Sequence, residues 1–420
     1  MDEQTDGLSG DIRESAEPQP DRSKDCERIK SIDRFRGFCV ACMLIFQFMY
    51  EFPSLGILHR LASHYPDTGI VILPTMTLAD IIAPAFIFAI GLTFALSFRR
   101  RQALFGTGKT IVHFVERSLA IVGLGTFMDF SEIFIESFSG TPMKAVDWVL
   151  FALSGAMLIG LVLRLLPLRK KIRNWKEISG QIFYISISLL GAVNIILAFV
   201  DYATIQPGKY WYWSVLQGIG FAMLIALPFI RTKPWLKLAA ALVIGTAYSV
   251  YHQIGNHSEL LDIMVHGGVV GAFGWAAMLL FDMFIADLYF QNKYSAFAVS
   301  AGLAAIGVFA IQWLGDAIMG SCSPTFILVG AGLSGVLFMI FDLTDKFHRS
   351  AFDPLVWWGK NPLIMFVIQF FVIGIYTMAA PDSMIKNAPL WLAALQSVIL
   401  IIVLNLFVYW LAKQKKSIRL

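Results

Sequence analysis

The chain has 420 residues, of which 57% are hydrophobic and 15% are charged, and its formal net charge is +4. So little polar surface excludes a soluble globular protein of this size, and we expect a lipid bilayer and no nucleic acid as partner. The apolar runs are roughly 17 to 25 residues long, which is the length that a helix needs to cross the membrane. Because these runs are uniformly apolar and do not alternate, membrane strands are excluded. We predict an all-α polytopic membrane protein.

The first 33 residues differ from the rest, since they carry many acids, five basic residues and almost no large apolar side chain. This composition predicts a disordered tail. The tail lacks the layout of a cleavable secretory signal, so the first apolar run is interpreted as a retained span. We therefore expect three parts: a tail over 1–33, a membrane domain over 34–412 and a basic tail over 413–420.

Lysines and arginines alternate between the two predicted membrane faces. Of the 33 in the chain, 28 fall on the side of the N-terminal tail, four fall on the opposite side, and Arg117 alone lies inside a span. The positive-inside rule then predicts cytoplasmic N and C termini and an even number of spans. Ten spans with two re-entrant segments fit the charges as well as twelve do. The twelve spans are centred near residues 44, 87, 121, 156, 190, 221, 244, 275, 305, 334, 371 and 400.

Two charged groups flank the first two spans. Asp33, Arg34 and Arg36 lie at the cytoplasmic end of span one, where they either set the topology or let an arginine fork bind a phosphate. Asp80 opens span two at the outer face, and the loop before it carries His59 and His64. Histidine with a carboxylate is the pattern of a general base with an orienting partner, although a loop histidine is more often solvated.

Further charges fall within or beside the later spans. Arg117 lies about two turns inside span three and needs a partner or a polar cavity. It either pairs with Asp282 of span eight or lines a cavity for an anionic cofactor. His266, near the outer end of span eight, and Asp342, near the inner end of span ten, are further candidates. Lys360 could reach a phosphate, while the following Asn361-Pro362 is typical of a helix start.

Several of these motifs together resemble a known family. The first part of the chain resembles membrane acetyltransferases of the heparan-alpha-glucosaminide N-acetyltransferase type. The resemblance lies in Ser-x-Asp-x-Phe-Arg-Gly over 31–37, then a span and a loop with histidine, and then Thr-x-x-Asp-x-x-x-Pro-x-Phe-x-Phe-x-x-Gly over 77–91. Looser agreement follows at Arg117-Ser-Leu with Gly123 and Gly125, at Val215-Leu216-Gln217 and at Gly359-Lys360-Asn361.

The resemblance implies a transmembrane acyltransferase bundle that moves an acetyl group from cytoplasmic acetyl-CoA to a sugar amine or hydroxyl across the membrane. It implies a catalytic histidine in the first outer loop, with Asp80 beside it. Counting forward from Gly37 favours His59, whereas the distance back from Asp80 favours His64, which we place first. The family's Trp-x-Gly before the Thr-x-x-Asp motif is replaced here by Ile72-Leu-Pro-Thr-Met76.

We therefore predict an acetyl-CoA-dependent acyltransferase of a bacterial plasma membrane that acts on a glycan or another small acceptor. His64 or His59 is the base and Asp80 orients it. The residues expected to bind the acetyl-CoA co-substrate are Arg36, Arg117, Lys360 and Asn361. No metal is expected, and a homodimer is compatible with the sequence. The rival interpretation is a multi-span transporter or flippase, because buried Arg and Asp serve translocation equally well.

Overall fold

A computed structural model describes residues 29–64, 69–137, 145–165, 175–203, 213–254, 261, 265–345 and 353–414. The predicted terminal tails lie largely outside these ranges. The described part is built from helices joined by short connections and one small hairpin. The helices are α1 (Lys30–Tyr50), α2 (Ile57–Ala62), α3 (Ile82–Phe105), α4 (Thr107–Ser137), α5 (Ala145–Leu165), α6 (Trp175–Ala203), α7 (Val215–Ala226), α8 (Pro234–Gln253), α9 (Gly268–Gln291), α10 (Lys293–Leu314), α11 (Pro324–Asp345), α12 (Pro354–Lys360), α13 (Pro362–Ile368), α14 (Gly374–Ala379) and α15 (Leu390–Lys413).

Eight of the described helices are long and apolar enough to cross a membrane, or nine if the bent pair at 354–377 forms one span. Every predicted span centre falls within a helical segment of the structure, but the count of twelve and the location of the termini stay predictions. Helix α1 is not among the eight, because its first two turns are charged and leave only residues 37–50 free of charge until the helix ends. Helix α7 and the short 3₁₀ turn that follows it together extend only from Val215 to Phe229, so they are shorter than the eight candidate spans.

Helix α9 is the most buried of the candidate spans, and α3 and α11 pack on it and on each other. A Cβ built at Gly330 of α11 would lie 3.0 Å from Pro84 of α3, and one at Gly335 would lie 3.2 Å from Phe88. The residue further along α11 contacts the residue further along α3, so α3 and α11 run in the same direction. We call the end at which these two helices begin the Asp80 end, and the end at which α1 begins the Arg34 end.

Helices α1 and α12 cross in backbone contact. A Cβ at Gly37 would lie 1.8 Å from the Leu355 carbonyl oxygen, and one at Gly359 would lie 1.9 Å from the Asp33 carbonyl oxygen. Only glycine permits an approach this close, as in small-residue crossings of membrane helices. Two of the motifs noted in the sequence, Phe-Arg-Gly and Gly-Lys-Asn, therefore meet at one crossing.

The chain bends by 87° between α12 and the helical run that begins at Pro362. Asn361 is buried there with φ −133° and ψ 50°, because a residue before proline is disfavoured in the helical region. Pro362 is the first residue of α13, as the Asn-Pro pair predicted. The segment before it is helix α12.

Ion pairs tie α1 to its neighbours at the Arg34 end. The buried Arg34 guanidinium pairs with Asp345 at the end of α11 and with Asp353, the N-cap of α12. Helix α1 begins at Lys30, so residues 30–33, which the sequence interpretation assigned to the disordered tail, are helical. Ser31 donates a hydrogen bond of 3.1 Å to Asp342, which ties this first turn of α1 to α11.

Candidate active site

The Asp80 side chain is fixed by the turn that starts helix α3. A short antiparallel hairpin, β1 (Val71–Leu73) and β2 (Met76–Thr77), leads into this turn, and its Met76 side chain is fully buried in the core. One oxygen of Asp80, Oδ2, accepts hydrogen bonds from the Thr77 backbone N–H at 2.7 Å and from the Thr77 hydroxyl at 2.9 Å. This is the return bond of a capping box, and it explains the Thr-x-x-Asp spacing.

The other oxygen of Asp80 binds His64. Asp80 Oδ1 lies 2.6 Å from His64 Nδ1, and the Asp80 side chain is 3% exposed while that of His64 is 45% exposed. An ionised carboxylate has only acceptors, so we assign the proton to Nδ1 and the lone pair to Nε2. The arrangement is a histidine whose ring is oriented through Nδ1 and whose Nε2 carries a lone pair, at the edge of the fold.

His59 does not share this arrangement. It lies on α2, and its ring stacks on Tyr50 with centroids 5.7 Å apart and an interplanar angle of 14°. Its Nδ1 is buried without a hydrogen-bond partner among the described residues. Of the two histidines that the sequence left open, His64 is the one that the structure joins to Asp80.

His266 reaches the same region from a distant part of the chain. It lies in the 3₁₀ turn Val265–Gly267 just before α9, and it is close enough for the charges of His64 and Asp80 to act on it. Burial and the His64 charge lower the pKa of His266 from 6.5 to about 4, against smaller opposing effects of the Met319 backbone and Asp80. The sequence offered only its place near the end of a span, because nothing local shows that α9 and α3 begin side by side.

Three of the residues predicted to bind acetyl-CoA lie around the crossing of α1 and α12. Arg36 precedes Gly37 and donates a hydrogen bond of 2.8 Å to Thr93 on α3. Lys360 and Asn361 follow Gly359, with Lys360 half-buried and Asn361 buried. Arg34, by contrast, is engaged by two carboxylates, so its role at this end is structural.

Arg117 belongs to a second basic group, where α3 and α4 meet. Its charge and that of Arg101 both act on His113, which lies one turn before it on α4. The pair between Arg117 and Asp282 that the sequence allowed is not formed. Asp282 is fully buried on α9 against Gly91, and neither of its carboxylate oxygens has a hydrogen-bond partner in the part of the chain that the structure describes.

Comparison with known proteins agrees with the motifs. Residues 28–189 match the family model described as heparan-alpha-glucosaminide N-acetyltransferase, catalytic. This region of the chain is similar to the catalytic domain of that family. The match confirms the resemblance found in the sequence, runs from α1 into α6, and includes Arg36, His64, Asp80 and Arg117. No curated protein matches the chain.

The heparan-alpha-glucosaminide N-acetyltransferase match indicates a transmembrane acetyltransferase in general terms, and the apolar helices indicate a multi-pass membrane protein. His266, Lys360 and Asn361 lie beyond the matched region. Across the described residues, no three His, Cys, Asp or Glu side chains are grouped so as to hold a metal ion.

Proposed function

We propose that the protein transfers an acetyl group from acetyl-CoA to an amine or hydroxyl of a sugar or other small acceptor, with His64 as the base and Asp80 as its orienting partner. The observation that carries the proposal is the bond of 2.6 Å between His64 Nδ1 and Asp80 Oδ1, within the region that matches the acetyltransferase family. The Thr77 bonds hold Asp80 from the other side, so the ring has a fixed orientation before any substrate binds.

In the direct route, the acceptor nitrogen or oxygen attacks the thioester carbonyl carbon while His64 Nε2 takes the proton that the attacking atom loses. The carbon–sulfur bond then breaks, the proton passes from His64 to the CoA sulfur, and CoA leaves as the free thiol. Asp80 remains ionised and stabilises the transient imidazolium. In the covalent route, Nε2 itself attacks the thioester carbonyl carbon, the carbon–sulfur bond breaks, and CoA leaves as the thiolate. The acceptor then attacks the carbonyl carbon of the acetyl-histidine, the carbon–Nε2 bond breaks to restore the neutral ring, and the proton that the acceptor loses passes to the CoA thiolate.

The cations of the Arg34 end are proposed to bind the phosphates of acetyl-CoA. Arg36 and Lys360 flank the α1–α12 crossing, and Arg117 lies within the basic group on α4. Arginine forks and lysine ammonium groups are common phosphate ligands. The distribution of lysine and arginine along the sequence supports a cytoplasmic location for this end, and therefore an outward-facing His64. A bacterial plasma membrane is the location that we propose.

The test is CoA release by purified protein in detergent or liposomes, with radiolabelled acetyl-CoA and glucosamine as the first acceptor. The proposal expects glucosamine-dependent release that His64→Ala abolishes and His59→Ala leaves largely intact, at equal protein levels. Label retained on the protein without an acceptor would select the covalent route. Equal loss in both histidine variants would remove the assignment of His64, and no turnover with a panel of amino sugars would overturn the proposal.

A carrier is the second candidate, and Asp282 is the observation that favours it. A fully buried carboxylate without a hydrogen-bond partner among the described residues is typical of proton and substrate pathways in transporters. A carrier would lose transport in Asp282→Asn and tolerate His64→Ala. An acetyltransferase would instead lose activity in His64→Ala and be less sensitive to Asp282→Asn.

A further inference from the structure

The backbone of His266 is held in an uncommon conformation. Its φ of 54° and ψ of 33° place it in the left-handed region, which costs a residue with a side chain roughly 1 kcal/mol or more. The conformation is fixed from two sides. The Trp275 indole N–H donates to the His266 carbonyl oxygen at 3.3 Å, and a Cβ at Gly271 would lie only 2.4 Å from that oxygen. The surrounding structure therefore imposes the strain on His266.

The imidazole ring is positioned just as firmly. It packs edge-on against Trp275, with centroids 6.0 Å apart and an interplanar angle of 78°. Its Nδ1 is buried and has no hydrogen-bond partner among the described residues. The ring also interacts with the Met319 backbone, which leaves Nε2 as the nitrogen that faces Met319. The Met319 carbonyl accepts, so Nε2 carries the proton and Nδ1 presents a lone pair.

A purely structural role does not account for these two costs together. Glycine or asparagine would adopt the left-handed conformation more easily, and the next two residues, Gly267 and Gly268, also have positive φ. A buried acceptor without a partner costs roughly 1–3 kcal/mol. Strained residues and unsatisfied buried groups concentrate at binding sites, because a ligand completes them.

The neighbours of His266 identify the site to which it belongs. The charges of His64 and Asp80 both act on the ring, although more than 180 residues separate His266 from either of them. Because burial and the His64 charge keep its pKa near 4, His266 is neutral around pH 7. It can therefore accept a hydrogen bond at Nδ1 while His64 takes up a proton beside it.

We propose that His266 is an acceptor-binding residue of the His64–Asp80 site, where Nδ1 accepts a hydrogen bond from the N–H or O–H group of the acceptor substrate. This inference rests on the proposed acetyl transfer. An attacking amine carries a second N–H besides the one that His64 removes, and a bond from it to His266 directs the nitrogen lone pair toward the thioester. Primary amines and vicinal diols, which offer two adjacent donors, fit this pair of histidines.

The experiment measures CoA release by purified wild type and variants, varying glucosamine and acetyl-CoA separately. His266→Gly removes the ring and suits the left-handed backbone, and His266→Asn is a second variant that tolerates this backbone. We expect roughly a tenfold rise in KM for glucosamine in both, from the loss of one hydrogen bond to a buried group, with KM for acetyl-CoA unchanged. Added imidazole should partly restore the Gly variant.

Cys322→Gly is the matched control, because Cys322 is also buried with a positive φ of 51° and lies in the loop that carries Met319. It should leave both KM values unchanged. Active wild type, inactive His64→Ala and an unchanged KM for glucosamine in both His266 variants would overturn this inference alone. A uniform fall in kcat with lowered thermal stability and no rescue by imidazole would also overturn it, in favour of a packing role. No glucosamine-dependent turnover by the wild type would overturn the proposed function itself.

Discussion

The substitution Asp80→Asn tests the core of the site. It keeps the shape of the side chain and replaces one acceptor oxygen by an NH₂ donor. Thr77 donates twice to Oδ2, so the amide oxygen takes that position and the NH₂ group faces His64 Nδ1. The new NH₂ group of the Asp80→Asn side chain and the His64 Nδ1–H would then be two donors facing each other, unless the ring moves its proton to Nε2. With the proton on Nε2, His64 no longer has the lone pair that deprotonates the acceptor substrate.

The expected loss in kcat is about 10²- to 10⁴-fold, or about 3 to 5 kcal/mol in the activation free energy, since both the base and its orientation are affected. The KM for acetyl-CoA should not change, because the proposed phosphate ligands lie at the other end of the bundle. The fold should survive, since the Thr77 bonds persist and His64 is only half-buried. The thermal midpoint should therefore fall by a few degrees at most.

The assay is thiol release from acetyl-CoA with glucosamine, alongside a thermal melt of each variant. Asp382→Asn is the control, because it removes a carboxylate from an exposed ion pair with Lys386 at 3.5 Å and should have no effect. A folded Asp80→Asn protein with more than about a tenth of wild-type kcat would refute the idea that Asp80 sets the His64 tautomer.

Two further predictions concern stability. Gly37→Ala should destabilise the protein by more than about 3 kcal/mol in a detergent melt, because its Cβ would lie 1.8 Å from the Leu355 carbonyl oxygen. Gly302→Ala is the control, and it should be neutral or stabilising because the space around Gly302 is open. Similar melts for the two variants would contradict the close crossing of α1 and α12. Because the pKa of His266 is lowered from 6.5 to about 4, the unfolded chain binds a proton that the folded chain does not, so the free energy of unfolding should fall between pH 6.5 and pH 4 by at most about 3 kcal/mol. His266→Asn should show a smaller fall in melts across this range, and an identical pH profile would refute the low pKa.

Local sequence patterns predicted the helices of the fold more completely than the residues of the site. Apolar runs located a helix at every predicted span centre, because burial in lipid leaves a strong signal in composition. The Thr-x-x-Asp spacing gave the position of Asp80 for the same local reason. The two histidines before it could not be separated by counting, since only the path of the loop decides which ring meets the carboxylate. His266 and the α1–α12 crossing join residues hundreds of positions apart, which a single sequence does not reveal.

Helix α3 connects the two proposed substrate positions and sets the distance between them. Asp80 lies at its start, and Thr93, which binds Arg36, lies 13 residues further along one helical run, or about 20 Å away. Gly91 lies between them, in contact with the buried Asp282 of α9. If the phosphates of acetyl-CoA bind near Arg36, the rest of the molecule must therefore extend well into the helix bundle for its acetyl group to reach His64.

This distance predicts how the donor's two ends contribute. Arg36→Gln should raise KM for acetyl-CoA roughly tenfold without lowering kcat, because the lost contact binds the phosphates and not the reacting atoms. S-acetyl-N-acetylcysteamine, which has the thioester and no nucleotide, should react slowly in the wild type and equally slowly in Arg36→Gln. If Arg36→Gln instead weakened both donors alike, Arg36 would act on the helix packing or the acetyl group, and the phosphate site would have to lie elsewhere, with the basic group around Arg117 the next place to test.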